Sequence, residues 1–356
     1  MTRIIEFLIA LGIVLGLFVL VALVLPSHRH LSESVETNRK MTIVYDTLNS
    51  MQRFKDWNPV MARDPGAKLE LSGPAAGVGA RVDYSSATQK YVGKGSWTIT
   101  ESVPGEKVVI AVDSPSLGHD KTVTFTLEPT GKNGRNVKIT ETYDVDYGWN
   151  LFGRIAGLYA SRSIGDDLKL GLGRLTTMLA SVPNFDYRAE GSTLTGLGVV
   201  DVPEENLLVV TAGNIDRSND AIKKSIKDNL EWINRTIAAN GLESAGPFRV
   251  ITTDFGAEKY AFDVAMPVKK AGATGALKLS IPAGSPVKLV HVDAHRAAHA
   301  AYTGYMAELD AARNSLRAWA VTNGYEVVDR PYESWKGGLD KAFTADGSFD
   351  IYWAVK

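Results

Sequence analysis

Glu333 stands in the run Tyr332-Glu333-Ser334-Trp335. A carboxylate between aromatic rings can hold an organic cation, because the ring faces attract the charge and the carboxylate pairs with it. Tyr302, Tyr305, Trp353, Phe262 and Phe248 could wall such a cleft, although each such ring is more often core than pocket. Strand parity singles out two further carboxylates. Val137, Ile139, Glu141, Tyr143 and Val145 share one strand face, so Glu141 points with an apolar set. The same parity puts Glu101 in line with Trp97, Ile99 and Val103. A carboxyl facing a cavity has its pKa raised by desolvation and can act as acid, base or ligand anchor. The competing expectation is that both lie near strand ends, where the inward face is already wet. His291, His295 and His299 would align as metal ligands on one continuous helix. The segment instead reads as strand turning into helix near Ala297, so solvated histidines and no metal are expected. There is no phosphate loop, dinucleotide fingerprint or nucleophile elbow, and no cofactor is expected. With no cysteine, disulfides, thiolate metal sites and cysteine nucleophiles are excluded.

These side chains need elements to hold them. A chain of 356 residues, 45% hydrophobic and 22% charged, has packed globular composition and room for two domains. A net charge of -1 leaves no general field for nucleic acid, which is not expected as a partner. Between Phe7 and Leu25 no side chain is charged, and at about 1.5 Å per residue such a run spans a bilayer core. Residues 1–27 therefore read as an uncleaved transmembrane anchor. The rival is a cleaved secretory signal, whose apolar region is usually shorter and ends in a small-residue site. The expected location is a single pass in a bacterial inner membrane. Arg3 on one side against Arg29, Arg39 and Lys40 on the other favours a cytoplasmic body. A short N-terminal tail retained inside favours the periplasm, and the balance leans slightly that way.

Residues 28–182 form a first block. It opens with a helix over 41–51 and a Trp57-Asn58-Pro59 turn, then gives alternating strands, clearest where Val123, Phe125 and Leu127 alternate with threonines. A helix over about 150–180 closes it, with Ile164, Leu168, Leu172, Leu175 and Leu179 on one face. The α+β pattern implies a curved antiparallel sheet on a long helix. Residues 183–198 are turn formers and read as a linker. Residues 199–356 read as a duplication: strand 206–212, helix 220–239 and strand 260–264, then strand 287–292, helix 298–320 (Tyr302, Tyr305, Leu309, Leu316, Trp319) and strand 349–353. Pro247-Phe248 matches Pro331-Tyr332, and Phe262-Asp263-Val264 matches Phe349-Asp350-Ile351. Two strand-helix-strand-strand units should pair about a pseudo-twofold axis with a cleft between them.

On Trp57-Asn58-Pro59, Ser72-Gly73-Pro74-Ala75-Ala76-Gly77-Val78-Gly79-Ala80 and Gly95-Ser96-Trp97-Thr98-Ile99-Thr100-Glu101 with Pro104, residues 28–182 resemble the START-related polyketide cyclase/dehydrase (SRPBCC) superfamily. That resemblance implies a helix-grip fold with a fatty pocket between sheet and last helix, used by lipid and hormone carriers as well as cyclases. On the repeat, Pro331-Tyr332-Glu333-Ser334-Trp335 and the terminal Phe349-Asp350-Ile351-Tyr352-Trp353-Ala354-Val355-Lys356, residues 199–356 resemble the gyrase inhibitor-like, effector-binding domain. This implies that Glu333 reaches into an aromatic cleft, pairing with cationic lipophilic ligands or serving hydrolysis. No helix-turn-helix precedes that block, so regulation by DNA binding is not expected.

The expectation is a membrane-anchored sensor or sequestering protein for small lipophilic molecules, cationic ones included, in which Glu333→Gln weakens cationic ligands without unfolding the chain. The alternatives are an enzyme, either a cyclase or dehydrase using the first block's carboxylates or a hydrolase using Glu333 as base, and an adaptor with both pockets collapsed.

Overall fold

The computed structural model describes residues 2–88, 92–190, 192–281 and 283–356. Two compact units divide the chain, Met1–Asn184 and Phe185–Lys356. Unit 1 begins with α1 (Thr2–Val24), exposed along nearly its whole length. Among the described residues it is the one helix long and apolar enough to cross a membrane. Then come β1 (His28–Thr37), α2 (Met41–Leu48), α3 (Phe54–Trp57) and α4 (Pro59–Arg63). Strands β2 (Lys68–Ser72), β3 (Arg81–Ser85), β4 (Lys94–Val103), β5 (Lys107–Asp113), β6 (His119–Thr130) and β7 (Asn136–Asp146) follow, and α5 (Leu151–Ala156) and α6 (Ala160–Ala180) close the unit.

The seven strands lie in the order β1-β7-β6-β5-β4-β3-β2, each pair antiparallel. Leu168, Leu172, Leu175 and Leu179 bury one stripe of α6, as their spacing requires. The Trp-Asn-Pro turn has a local explanation. Trp57 ends α3, the Asn58 side chain caps α4 by accepting from the Val60 amide at 3.0 Å, and Pro59 takes the first helical position, where a missing N–H costs nothing. Strand β1 was not expected, because His28–Thr37 is mostly polar; it pairs only with β7, at the sheet edge.

Unit 2 comprises β8 (Leu194–Val202), β9 (Glu205–Asp216), α7 (Asn219–Asn240), β10 (Glu243–Ser244), β11 (Arg249–Phe255), β12 (Lys259–Lys269), β13 (Lys288–Val292), β14 (His295–Thr303), α8 (Leu309–Thr322), β15 (Tyr332–Trp335), α9 (Gly338–Ala342) and β16 (Ser348–Ala354). Its sheet runs β13-β9-β12-β11-β15-β16-β14-β8, with β10 beside β12. The succession β9-α7-β11-β12 thus lies on one side of the β11–β15 pair and β14-α8-β15-β16 on the other. Helix α7 is capped by Ser218, whose Oγ accepts from the Ala221 amide at 3.3 Å, and ends at Gly241 in the left-handed region, φ 59°. Ile222, Ile226 and Ile233 of α7 and Leu309 and Leu316 of α8 bury the apolar sheet face that carries Leu208, Val210, Val250, Val264 and Ile351.

Three sequence expectations are corrected here. The helix expected over 298–320 starts only at Leu309, and His295–Thr303 is a strand. Its alanines suggest helix by propensity, but hydrogen bonding to β16 on one side and β8 on the other decides the conformation. The expected linker loses its last residues to β8, whose Leu194 pairs with Tyr302. Phe248 is buried in the helix-covered core, whereas Tyr332 lines a cavity on the open side of the sheet. The two aromatic positions matched in the sequence therefore do not occupy equivalent faces.

Candidate functional site

Unit 1 holds a cavity of about 380 Å³ bounded by α4, the inner sheet face, the loop after β5 and the first half of α6. Trp97 from β4, Val123 from β6, Glu141 and Tyr143 from β7, and Ile164 and Leu168 from α6 are among its walls. Trp97 is also the outer member of an aromatic cluster, 5.5 Å from the Phe54 ring and 6.1 Å from the Trp57 ring, both edge-on. Parity explains why these side chains meet: one face of β7 is buried at every second residue from Val137 to Val145. Glu141 is the one charged type in that series.

Glu141 is 3% exposed, and its Oε2 has no hydrogen-bond partner among the described residues. Burial alone pushes its pKa from 4.5 to about 8, because the charged form loses hydration that nothing replaces. At neutral pH the side chain is mainly the neutral acid, offering one O–H donor and one acceptor inside an otherwise largely apolar cavity. Burial likewise pushes the Tyr143 and Tyr84 hydroxyls up to about 12, so both remain neutral donors. At the mouth, Arg63 of α4 pairs with Asp167 of α6, Nε donating to Oδ1 at 2.8 Å. The loop after β5 is fixed from below by the buried Lys121, whose Nζ donates to the Ser114 and Ser116 carbonyls at 2.8 and 2.6 Å.

Glu101 is not part of this site. A register shift between Ile99 and Glu101 turns its side chain to solvent, where it pairs with Lys107 at 2.7 Å. A β-bulge adds one residue and reverses parity beyond it, so counting in twos from Trp97 fails there.

In unit 2 the predicted residues separate. Glu333 is 0% exposed and paired with Arg313 of α8. The Arg313 Nη2 also donates to the Tyr260 hydroxyl at 3.1 Å, which lies 2.9 Å from the Thr252 hydroxyl. Burial presses Arg313 toward its neutral form, but Glu333 outweighs it and holds the guanidinium above its ordinary pKa. Phe248, Phe262, Tyr302 and Trp335 belong to the surrounding apolar core, with Tyr305 packed against it. The Trp353 indole donates to the Asp329 carbonyl at 3.0 Å. Tyr332 is on the opposite sheet face, stacked on Tyr352 at 4.9 Å with Arg249 over its ring at 4.7 Å. Tyr332 and Trp335 therefore do not cage Glu333 between them: they sit on opposite faces, and a guanidinium already occupies the place of an organic cation.

The open face of this sheet carries a second cavity, about 520 Å³, with Leu207, Val209, Ile251 and Val290 on its floor and Tyr332 on its wall. The pairs Arg249–Glu205 (2.7 Å between Nη2 and Oε2) and Arg330–Asp263 (2.9 Å) flank it. Sequence reasoning missed these four residues, as it missed Arg63 and Asp167; each pair joins positions distant in the chain, and the one available signal was the unbroken apolar run Leu207-Leu208-Val209-Val210 of β9, which gives both sheet faces apolar side chains. His291 sits on β13 within 3.2 Å of Asn206. His295 lines the second cavity, and His299 lies 3.3 Å from Asp350. Among the described residues no group of three His, Asp or Glu could hold a metal.

Residues 28–180 match the model of a family described as polyketide cyclase / dehydrase and lipid transport, over nearly the same stretch as the resemblance read from the sequence. No curated protein matches the chain. Among solved structures, the EcmrR C-terminal domain is 20% identical, with 45% of this chain and 97% of that one covered and a TM-score of 0.35. A Thermobifida fusca protein solved by solution NMR is 16% identical, with 42% and 93% covered and a TM-score of 0.34. Norcoclaurine synthase from Thalictrum flavum is 15% identical, with 43% and 87% covered and a TM-score of 0.34.

Proposed function

We propose that this chain is a membrane-anchored binder of small lipophilic molecules, with the unit 1 cavity as its principal site and Glu141 as the polar anchor. The observation that carries this reading is a carboxyl with an unpartnered, buried oxygen at a cavity of about 380 Å³. A cavity of about 300 Å³ or more with few convergent polar groups is the usual form of a small-molecule site. The unmet hydrogen-bonding capacity of Glu141 is a cost that a ligand group can remove. A neutral ligand with one acceptor takes the Glu141 proton as a hydrogen bond; an amine takes it outright and pairs with the carboxylate. The matched family description, which includes lipid transport, supports the ligand class, and the length and apolarity of α1 support the anchor. Unit 2 binds a second small molecule on the open sheet face beside Tyr332, while Glu333 ties α8 to the sheet.

Native mass spectrometry of the full chain released from detergent micelles tests this. Wild type should carry a lipophilic adduct, and Ile164→Trp, which fills the cavity from α6, should lose it. Absence of an adduct from both, or its equal retention in both, contradicts the site.

The same residue favours one further reading, acid–base catalysis, since a carboxyl titrating at about 8 can both give and take a proton near neutrality. Turnover of polyketide-like substrates that disappears in Glu141→Gln would establish it.

A further inference from the structure

Segment 149–159 inverts the usual pattern of a surface helix. Gly153, Gly157 and Ala160 face inward, whereas Trp149, Phe152, Leu158 and Tyr159 are 82%, 72%, 50% and 69% exposed. The inward glycines have a steric cause. A Cβ on Gly153 would lie 2.7 Å from the Tyr147 ring and one on Gly157 2.9 Å from it, so the backbone packs directly on Tyr147 and the large side chains turn out. Single exposed apolar residues are ordinary, but four within one short segment form a patch that calls for a partner.

The same segment is fastened to the end of α1. The Phe152 ring stands 5.2 Å from Phe18. Arg154 donates to the Leu23 and Leu25 carbonyls at 3.2 and 3.4 Å and to the Gly148 carbonyl at 2.8 Å, with its guanidinium 5.6 Å from the Trp149 ring. The patch is thus continuous with an apolar helix of membrane-spanning length, at the end where that helix emerges. Aromatic rings with a polar edge, backed by an arginine, are the composition of the membrane–water boundary.

We propose that Trp149, Phe152, Leu158 and Tyr159 seat unit 1 on the bilayer surface at which α1 ends, making it a membrane-docked rather than a tethered domain. This rests on the reading of α1 as a membrane span. Ser163, one turn beyond Tyr159 and donating to its carbonyl at 3.3 Å, already lines the cavity. Docking therefore brings the cavity mouth beside the lipid phase, from which a lipophilic ligand can pass without crossing water.

The absence of cysteine allows single labels. Nitroxides on Phe152→Cys, Tyr159→Cys and Leu15→Cys, in the full chain reconstituted into phosphatidylcholine–phosphatidylglycerol vesicles, report access to oxygen and to a water-soluble nickel chelate. Labels at 152 and 159 should lie about 5–10 Å into the headgroup and acyl boundary, and the label at 15 in the hydrocarbon. Water-like values at 152 and 159 with 15 in hydrocarbon overturn the docking and leave the anchor standing. Labels at 152 and 159 shielded from both reagents also overturn it, since protein then covers the patch. A water-exposed label at 15 removes the anchor and the docking with it.

Discussion

Glu141 and Glu333 are both buried and chemically alike, yet they serve opposite ends. Glu333 meets Arg313 across the core, and their charges cancel where no water reaches. Among the described residues the Glu141 Oε2 meets no partner, and its charge is suppressed instead. A buried acid paired with a guanidinium belongs to the architecture, because the pair neutralises its charge even though one Glu333 oxygen has no hydrogen bond among the described residues. A buried acid left alone beside a cavity is a cost to the fold that only a ligand or a proton can offset.

The largest test of that contrast is Arg313→Met, which strands Glu333. We expect a loss of about 3–5 kcal/mol in denaturant unfolding, whereas Arg313→Met with Glu333→Leu recovers most of it, since replacing both members of a buried pair is far milder than removing one. Glu333→Gln, expected from sequence to spare the fold, should destabilise unit 2 by roughly 2–3 kcal/mol for the same reason. An unchanged midpoint for either single variant would break the comparison.

Glu141→Gln should behave in the reverse sense. The wild-type pKa is raised from 4.5 to about 8 on folding, so the group's contribution is complete below 4.5 and is lost as pH rises through about 8. The glutamine variant does not titrate and escapes that loss. Its stability relative to wild type should climb across this window, by about 2 kcal/mol where water reaches the ionised acid and by no more than about 5. Parallel stability–pH curves would show that Glu141 is already satisfied. Glu101→Ala, which removes only the exposed pair with Lys107, should change stability by less than about 1 kcal/mol at any pH.

What the sequence made legible follows from periodicity. The stripe Leu168, Leu172, Leu175 and Leu179 located α6, and strand parity set Glu141 and Tyr143 on one apolar face of β7. The same parity misplaced Glu101, because a bulge leaves no mark in side-chain type. It was silent about Arg313, a partner twenty positions from Glu333 on another element. The Glu333 motif identified a residue of consequence, but not what stood opposite it. Alanines in β14 read as helix because propensity is local, whereas both flanking strands of the sheet come from distant chain.

Glu141 is a buried, uncharged acid that faces a cavity. Infrared titration of its carboxyl, taken as wild type minus Glu141→Gln in the full chain, reads this directly. A protonated carbonyl band that persists through neutral pH and fades around 8 is the result this account predicts; a band already lost near 4.5 would contradict it.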